Sequence, residues 1–271
     1  MYRIVEKVKL TPNAYKYTVQ APRIARKSKP GQFVILRVHE KGERIPVTIT
    51  DNDSNKGTID IIFAEVGKSS KLLGALEEGG NILNFSGPLG NETKIRKYGK
   101  ILCIGGGVMV GALLYQMKAL KAAGNSITTI VGARSSEHLF MVEELKKLSE
   151  EMIVATDDGS EGYGNLDFME ELLEKSNFDH IIAIGPTSMQ WMISNMAKEY
   201  RIPMTVNLFP IMVDGTGMCG ACRVTVGEET KFTCVDGPDF DGHKVDFEEL
   251  VSRMRYYNPN EKIAMVLFDG R

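Results

Sequence analysis

The sequence has almost no charge imbalance, no long apolar run and few cysteines, and each shortage excludes something. Its 33 Lys+Arg face 35 Asp+Glu, a formal net charge of −2. That balance removes the usual reason to expect nucleic acid or an anionic membrane as partner. No uninterrupted apolar stretch approaches the roughly 18 residues that a membrane span needs. The opening MYRIVEKVKL alternates charged and apolar residues, which suits a β-strand and not a signal peptide. A cytoplasmic protein is expected. Internal repeats and low-complexity linkers are also missing, so the parts of the chain should pack closely.

What is present points to several domains. The 271 residues are many for one compact core, and a 43% hydrophobic content is ample for buried ones. Residues 1–95 carry short alternating or apolar runs, among them IVEKVKL, YKYTVQ, QFVILRV, VTIT and TIDIIFAEV. Turn signals at Thr11-Pro12-Asn13, Lys29-Pro30-Gly31 and Asp51-Asn52-Asp53 separate them, which predicts a small antiparallel β-barrel or sandwich with one short helix over Ser69–Leu76. Residues 96–205 alternate buried strands (KILCIGGG, SITTIVGAR, MIVATDDG, DHIIAIGP) with helical stretches (112–123, 137–151, 167–176 and 188–200). That order predicts a doubly wound α/β domain, which binds ligands at the carboxyl ends of its strands. Residues 206–271 are rich in glycine and cysteine at first, then polar and partly helical, and are expected to form a third, small domain.

Three of the four cysteines crowd into this last region, in the spacing Asp214-x4-Cys219-x2-Cys222-x11-Cys234. A secreted disulfide framework would spread them more evenly. The pattern fits plant-type 2Fe–2S ligation, C-x4-C-x2-C and a later Cys, with Asp in the first place. Gly215, Gly217 and Gly220 allow the loop to curl and aim backbone N–H groups at sulfur. Half a zinc site and a redox dithiol are the competing readings, and Asp214 is also a good turn residue beside a glycine. Cys103 sits among Ile and Leu and reads as packing.

Gly105-Gly106-Gly107, followed by Val108-Met109, ends a buried strand and opens a helix, as a dinucleotide site requires. Gly132-Ala133-Arg134, Thr156-Asp157-Asp158-Gly159 and Gly185-Pro186 end the next three strands on the same expected edge. Two carboxylates would repel a 2′-phosphate, which favours NAD(H), although Arg134 could accept one. In the barrel, Arg44-Ile45-Pro46-Val47-Thr48 and Gly67-Lys68-Ser69-Ser70 stand out, with an edge strand and a helix cap as their plain reading.

Taken together these residues resemble the ferredoxin–NADP reductase superfamily over the whole chain. The branches most similar are the electron-transfer subunit of dihydroorotate dehydrogenase B and, closer, the small subunit of NADH-dependent reduced ferredoxin:NADP oxidoreductase. The resemblance implies an FAD barrel, a nicotinamide domain and a C-terminal 2Fe–2S domain. It implies that Pro46, Val47, Thr48, Ile62, Phe63, Ala64, Ser69 and Ser70 hold FAD. The family Arg falls at Ile45, with Arg44 one place earlier, and Met109 and Ala112 replace a Gly and a Pro of the family's glycine loop. The Asp ligand is the mark of the ferredoxin-dependent branch. That branch implies a larger partner subunit with FAD, 4Fe–4S clusters and an NADP(H) site, with ferredoxin as third party. No catalytic side chain beyond the cofactors is expected. A dihydroorotate dehydrogenase subunit and, from another class, a zinc-stabilised nucleotide-binding module are the alternatives.

Overall fold

Alternating apolar positions build the first sheet. The computed structural model describes residues 1–164 and 167–270. Strands β1 (Tyr2–Thr11), β2 (Ala14–Gln20), β3 (Phe33–Arg37), β4 (Ile45–Asp53), β5 (Thr58–Ala64), β6 (Asn81–Ile82) and β7 (Asn84–Leu89) are antiparallel, in the order β6-β1-β2-β5-β4-β3-β7. The two edge strands, β6 and β7, are joined through Leu83 alone. The sheet must therefore curl until its edges meet, which makes a nearly closed barrel. Along β5 the period of two is plain. Ile59, Ile61 and Phe63 fill the barrel with Tyr17, Val34 and Leu36, while Ile62 faces the other way.

Two short helices, α1 (Pro22–Ala25) and α2 (Lys68–Gly74), flank the barrel. The end of α2 is pinned by the buried Tyr17 hydroxyl, which donates to the carbonyls of Leu73 at 2.8 Å and Leu76 at 2.7 Å. The Leu76 N–H turns back to the Leu73 carbonyl, and the helix ends at Gly74, short of the Leu76 that sequence suggests.

Next come β8 (Lys100–Gly106), α3 (Val110–Ala122), β9 (Ser126–Ala133), α4 (Val142–Leu148), β10 (Glu151–Thr156), α5 (Phe168–Lys175), β11 (His180–Ile184), α6 (Thr187–Glu199) and β12 (Met204–Asn207). The five strands are parallel, in the order β10-β9-β8-β11-β12, so winding reverses between β8 and β11. Helix α4 is shorter than its apolar pattern predicts. Met141 takes a left-handed φ of 57° while Phe140 is buried in the α/β core, so the helix begins only after that turn. The fifth strand, β12, was not foreseen; it is four residues long and runs straight into Leu208 and Phe209.

The cluster region holds a hairpin, β13 (Arg223–Val226) and β14 (Glu229–Phe232), then α7 (Thr233–Asp236). After it, β15 (Asp239–Asp241) adds an antiparallel strand to β12. Helices α8 (Phe247–Met254) and α9 (Asn258–Asp269) complete the chain. Among the described residues, no helix is long and apolar enough to cross a membrane.

Candidate functional site

The barrel residues singled out from sequence lie on adjoining strands. Pro46, Val47 and Thr48 are on β4, and Ile62, Phe63 and Ala64 are on its neighbour β5, with Ile49 opposite Ile61. The Ile62 and Phe63 side chains are both committed to packing. Phe63 meets Tyr17 edge-on at 5.0 Å between ring centroids, and Ile62 belongs to the α/β core. A ligand there has backbone groups to bind, not these side chains.

Ser70 caps α2. Its Oγ accepts from the N–H groups of Val66 and Gly67 at 2.9 Å each and donates to the Gly67 carbonyl. Ser69 Oγ donates to the Glu43 carboxylate, which ties the exposed loop bearing Arg44 to the start of α2. Open space lies in front of Gly67. Arg44, just before β4, and Ser69 and Ser70, at the start of α2, are thus held near one another through Glu43.

The glycine loops gather on the carboxyl edge of the second sheet. Gly105 and Gly106 end β8, with Gly106 opposite Gly132 of β9 and Gly105 opposite Ile184 of β11. A Cβ at Gly106 would lie 2.8 Å from Pro186 Cδ, and one at Gly185 would lie 3.0 Å from the Gly106 nitrogen. The two loops touch, and only glycine fits between them. Gly107, at φ 56°, faces open space, a place where backbone can approach a ligand. Val108 and Met109 complete a 3₁₀ turn that packs on the α/β core.

The loops after β9 and β10 are laced together. Asp157 N–H donates to the Ala133 carbonyl and Asp158 N–H to that of Arg134, and Ser136 N–H donates to Ser160 Oγ. This brings Arg134, Asp157, Asp158 and Gly159 to one place. The carboxylates differ, however. Asp158 accepts from Ser160 N–H and Oγ–H, and these bonds hold its pKa below the usual carboxylate range. Asp157 is exposed and has no side-chain partner among the described residues.

In the cluster loop the Cys222 and Cys234 thiols are free, buried and 3.2 Å apart. Burial and the neighbouring thiol push Cys234 up to about 12. Cys219 is exposed, and its backbone N–H donates to Asp214 Oδ2 at 2.7 Å, while Thr216 N–H donates to Oδ1 at 2.8 Å. These bonds, Thr216's first, hold the Asp214 carboxyl below its ordinary range. Gly215, Gly217 and Gly220 all have left-handed φ, which gives the loop its curl. Among the described residues no three of these side chains form a finished metal cage. Two pairs stand ready instead, Cys222 with Cys234 and Asp214 with Cys219. The Thr233 hydroxyl, next to Cys234 in sequence, is buried and lacks a partner among the described residues. Paired thiols, a curled loop and an orphan donor fit an iron–sulfur cluster. Cys103 is a packed residue of β8, its thiol pKa raised by burial.

Both other sites converge on the barrel. The cluster loop packs on it through Phe33, Ile35, Met212, Cys222 and Cys234. Phe33 pairs with Thr48 across the ladder. On the other side, a Cβ on Gly111 of α3 would come 2.5 Å from Ile62 Cδ1 and 3.0 Å from Thr50 Cγ2. Lys118 and Tyr115 of α3 bond Asp51 and Asn52. Sequence reasoning gave no sign of these ties, nor of Thr93, Asn207 and Asp239, which bond one another across the domain junction.

Comparison with known proteins agrees with this layout. Residues 1–93 match an oxidoreductase FAD-binding domain, and residues 210–246 match the iron–sulfur cluster binding domain of dihydroorotate dehydrogenase B. The second match is the iron–sulfur reading of the Asp214–Cys234 spacing and not the zinc one. A Thermotoga maritima relative described as a dihydroorotate dehydrogenase B (NAD(+)) electron transfer subunit homolog is 46% identical over 98% of this chain and 94% of its own. A probable electron transfer subunit from Methanocaldococcus jannaschii is 35% identical over 81% of each chain. The solved structure of an NADH-dependent reduced ferredoxin-NADP oxidoreductase, reported for flavin-based electron bifurcation, superposes with a TM-score of 0.93 at 43% identity, covering 99% of this chain and 98% of that one. The Plasmodium falciparum ferredoxin-NADP+ reductase, at 15% identity and a TM-score of 0.62, shares the fold over 76% of this chain. The chain belongs to the family of dihydroorotate dehydrogenase B electron-transfer subunits and their homologues, built on the ferredoxin reductase fold.

Proposed function

We propose that this chain is the electron-transfer subunit of a cytoplasmic, ferredoxin-dependent NADH:NADP+ transhydrogenase, exchanging hydride with NAD(H) and single electrons with a partner. One observation carries the reading. Helix α3, which follows the glycine loop, packs on β4 and β5 at Thr50 and Ile62, and Cys222 and Cys234 pack on the adjoining β3 at Phe33, which is paired to Thr48 of β4. Adjoining strands lie only about 4.8 Å apart, so a flavin along β4 is near both. When bound, FAD takes up a hydride as an electron pair, and a 2Fe–2S cluster passes electrons singly.

The residues have distinct tasks in this proposal. Arg44, Ser69 and the α2 start hold the flavin phosphates, while Pro46, Val47, Thr48 and the Ile62–Ala64 backbone border its ring. Gly105, Gly106, Gly107, Gly132, Gly185 and Pro186 admit NAD(H), with Val108, Met109, Ala133 and Gly159 shaping the edge. Of Asp157 and Asp158, Asp157 opposes a 2′-phosphate, while Asp158, held by Ser160, shapes the loop beside it. Asp214, Cys219, Cys222 and Cys234 ligate the cluster. Residues 1–95, 96–205 and 206–271 are taken as the flavin, nicotinamide and cluster units. The partner is a larger flavoprotein with 4Fe–4S clusters and the NADP(H) site, and ferredoxin docks on the complex.

The names of the relatives support a second reading, the electron-transfer subunit of a dihydroorotate dehydrogenase. Asp214 in place of a fourth Cys favours the first. Purified protein should show flavin and iron–sulfur absorption that NADH bleaches; a colourless, iron-free protein would sink both readings. Co-purification separates them. A partner carrying FMN and no 4Fe–4S cluster would overturn the transhydrogenase assignment.

A further inference from the structure

A cavity of about 820 Å³ opens at the amino edge of the parallel sheet, away from the glycine loops. Its wall includes Tyr98, just before β8, His180, the first residue of β11, and Thr205 of β12. Four cations line it. Lys94 and Arg96 come from the segment leaving the barrel, and Lys198 and Arg201 from the end of α6. None of the four is ion-paired among the described residues. Arg96 is held by stacking instead. Its guanidinium lies 4.5 Å from the Tyr98 ring centroid, Tyr98 stacks on His180 at 4.3 Å, and His180 Nε2 is 2.8 Å from Thr205 Oγ1.

The acids on the wall are mostly engaged elsewhere. Asp239 accepts from Thr93 and Asn207, Asp236 accepts from Phe232 N–H, and Asp241 accepts from His243 N–H and pairs with Lys244. Glu92 is the one with no such partner among the described residues.

Arg201 supplies a second, independent observation. It follows α6 with a left-handed φ of 55°, where Ile202 N–H donates to the Ala197 carbonyl and Arg201 N–H to that of Lys198. This is a Schellman end, and its left-handed position favours glycine. The terminal carbonyls are already satisfied by backbone. An arginine stands where glycine would be more stable, and its side chain lines the cavity.

We propose that this cavity binds a small phosphorylated ligand that also carries hydrogen-bond donors, of the size of a nucleoside monophosphate. The four cations take the phosphate, and Glu92 and Thr205 accept from the remainder. The volume lies in the range of small-molecule sites. The site is separate from the flavin and nicotinamide sites, so its occupant touches the domain junction and not the electron carriers.

The test is calorimetric titration of the flavin- and cluster-loaded full chain with AMP and with orthophosphate, NAD+ being present at saturation to block the opposite edge. AMP is expected to bind, and Arg201→Gly and Lys198→Ala are each expected to weaken it by about tenfold. Arg201→Gly should at the same time raise the Tm by about 2–4 °C, so that its loss of binding cannot be ascribed to unfolding. No binding of either probe at millimolar concentration overturns the proposal. So does AMP binding that both variants leave unchanged. Orthophosphate binding as tightly as AMP overturns the assignment to a larger ligand.

Discussion

Thr93 donates its hydroxyl proton to Asp239 at 2.6 Å, across 146 residues of chain. Asn207 donates to the other carboxylate oxygen. One acid thus joins the segment leaving the barrel, the last parallel strand and the strand after the cluster loop. Removal from water raises the Asp239 pKa, against the smaller opposing effect of the two hydrogen bonds. The folded chain therefore holds this proton more tightly than the unfolded one. The stability linked to it is complete below the ordinary carboxylate range and is lost as pH rises through the raised value. Asp239→Asn keeps a neutral group in place and is expected to flatten that fall, read as unfolding free energy from denaturant titrations between about pH 4 and 7. Equal slopes in parent and variant would remove Asp239 as the cause. Asp239→Ala leaves two donors unpaired and is expected to cost about 1–3 kcal/mol.

Asp214 either ligates iron or only shapes its loop. Its carboxylate already organises the N–H groups of Thr216 and Cys219, and so it stands beside the exposed thiol. Asp214→Cys should retain iron and colour while moving the midpoint potential of the cluster, because ligand type sets that potential. Redox titration followed by EPR reads it. A variant with the parent's spectrum and potential would leave Asp214 a turn residue. Cys234→Ala, by contrast, removes a buried thiol of the close pair and is expected to abolish the cluster.

Asp157 and Asp158 should separate in a specificity test. Asp158 is consumed by Ser160, whereas Asp157 is exposed beside the Ala133–Arg134 turn. Asp157→Ser is expected to lower the preference for NADH over NADPH by about tenfold, or about 1.4 kcal/mol, in kcat/KM for flavin reduction. Asp158→Ser should change that ratio little and instead loosen the loop. The opposite ranking would assign selectivity to Asp158.

Much of the layout was legible because local rules write it. Period-two runs announced the barrel strands, and strand–helix alternation announced the parallel sheet. The Asp214–Cys234 spacing announced the cluster, whose domain family was then matched over residues 210–246. Short or crowded elements were harder to read. The four residues of β12 and three of β15 carry too little periodicity to stand out, yet they place the cluster region on the nucleotide sheet. Helix α4 shows an apolar pattern longer than itself, since Phe140 serves the core from outside the helix.

Sequence alone thus determined which chemistries the chain carries, because glycine loops, cysteine spacing and strand periodicity depend on residues near one another. Tertiary structure decided how they are connected. It set Phe33 between Thr48 and the cluster thiols, Gly111 against Ile62, and Asp239 between Thr93 and Asn207. Those pairs lie far apart along the chain, and only packing, which follows total shape and not local pattern, brings them into contact.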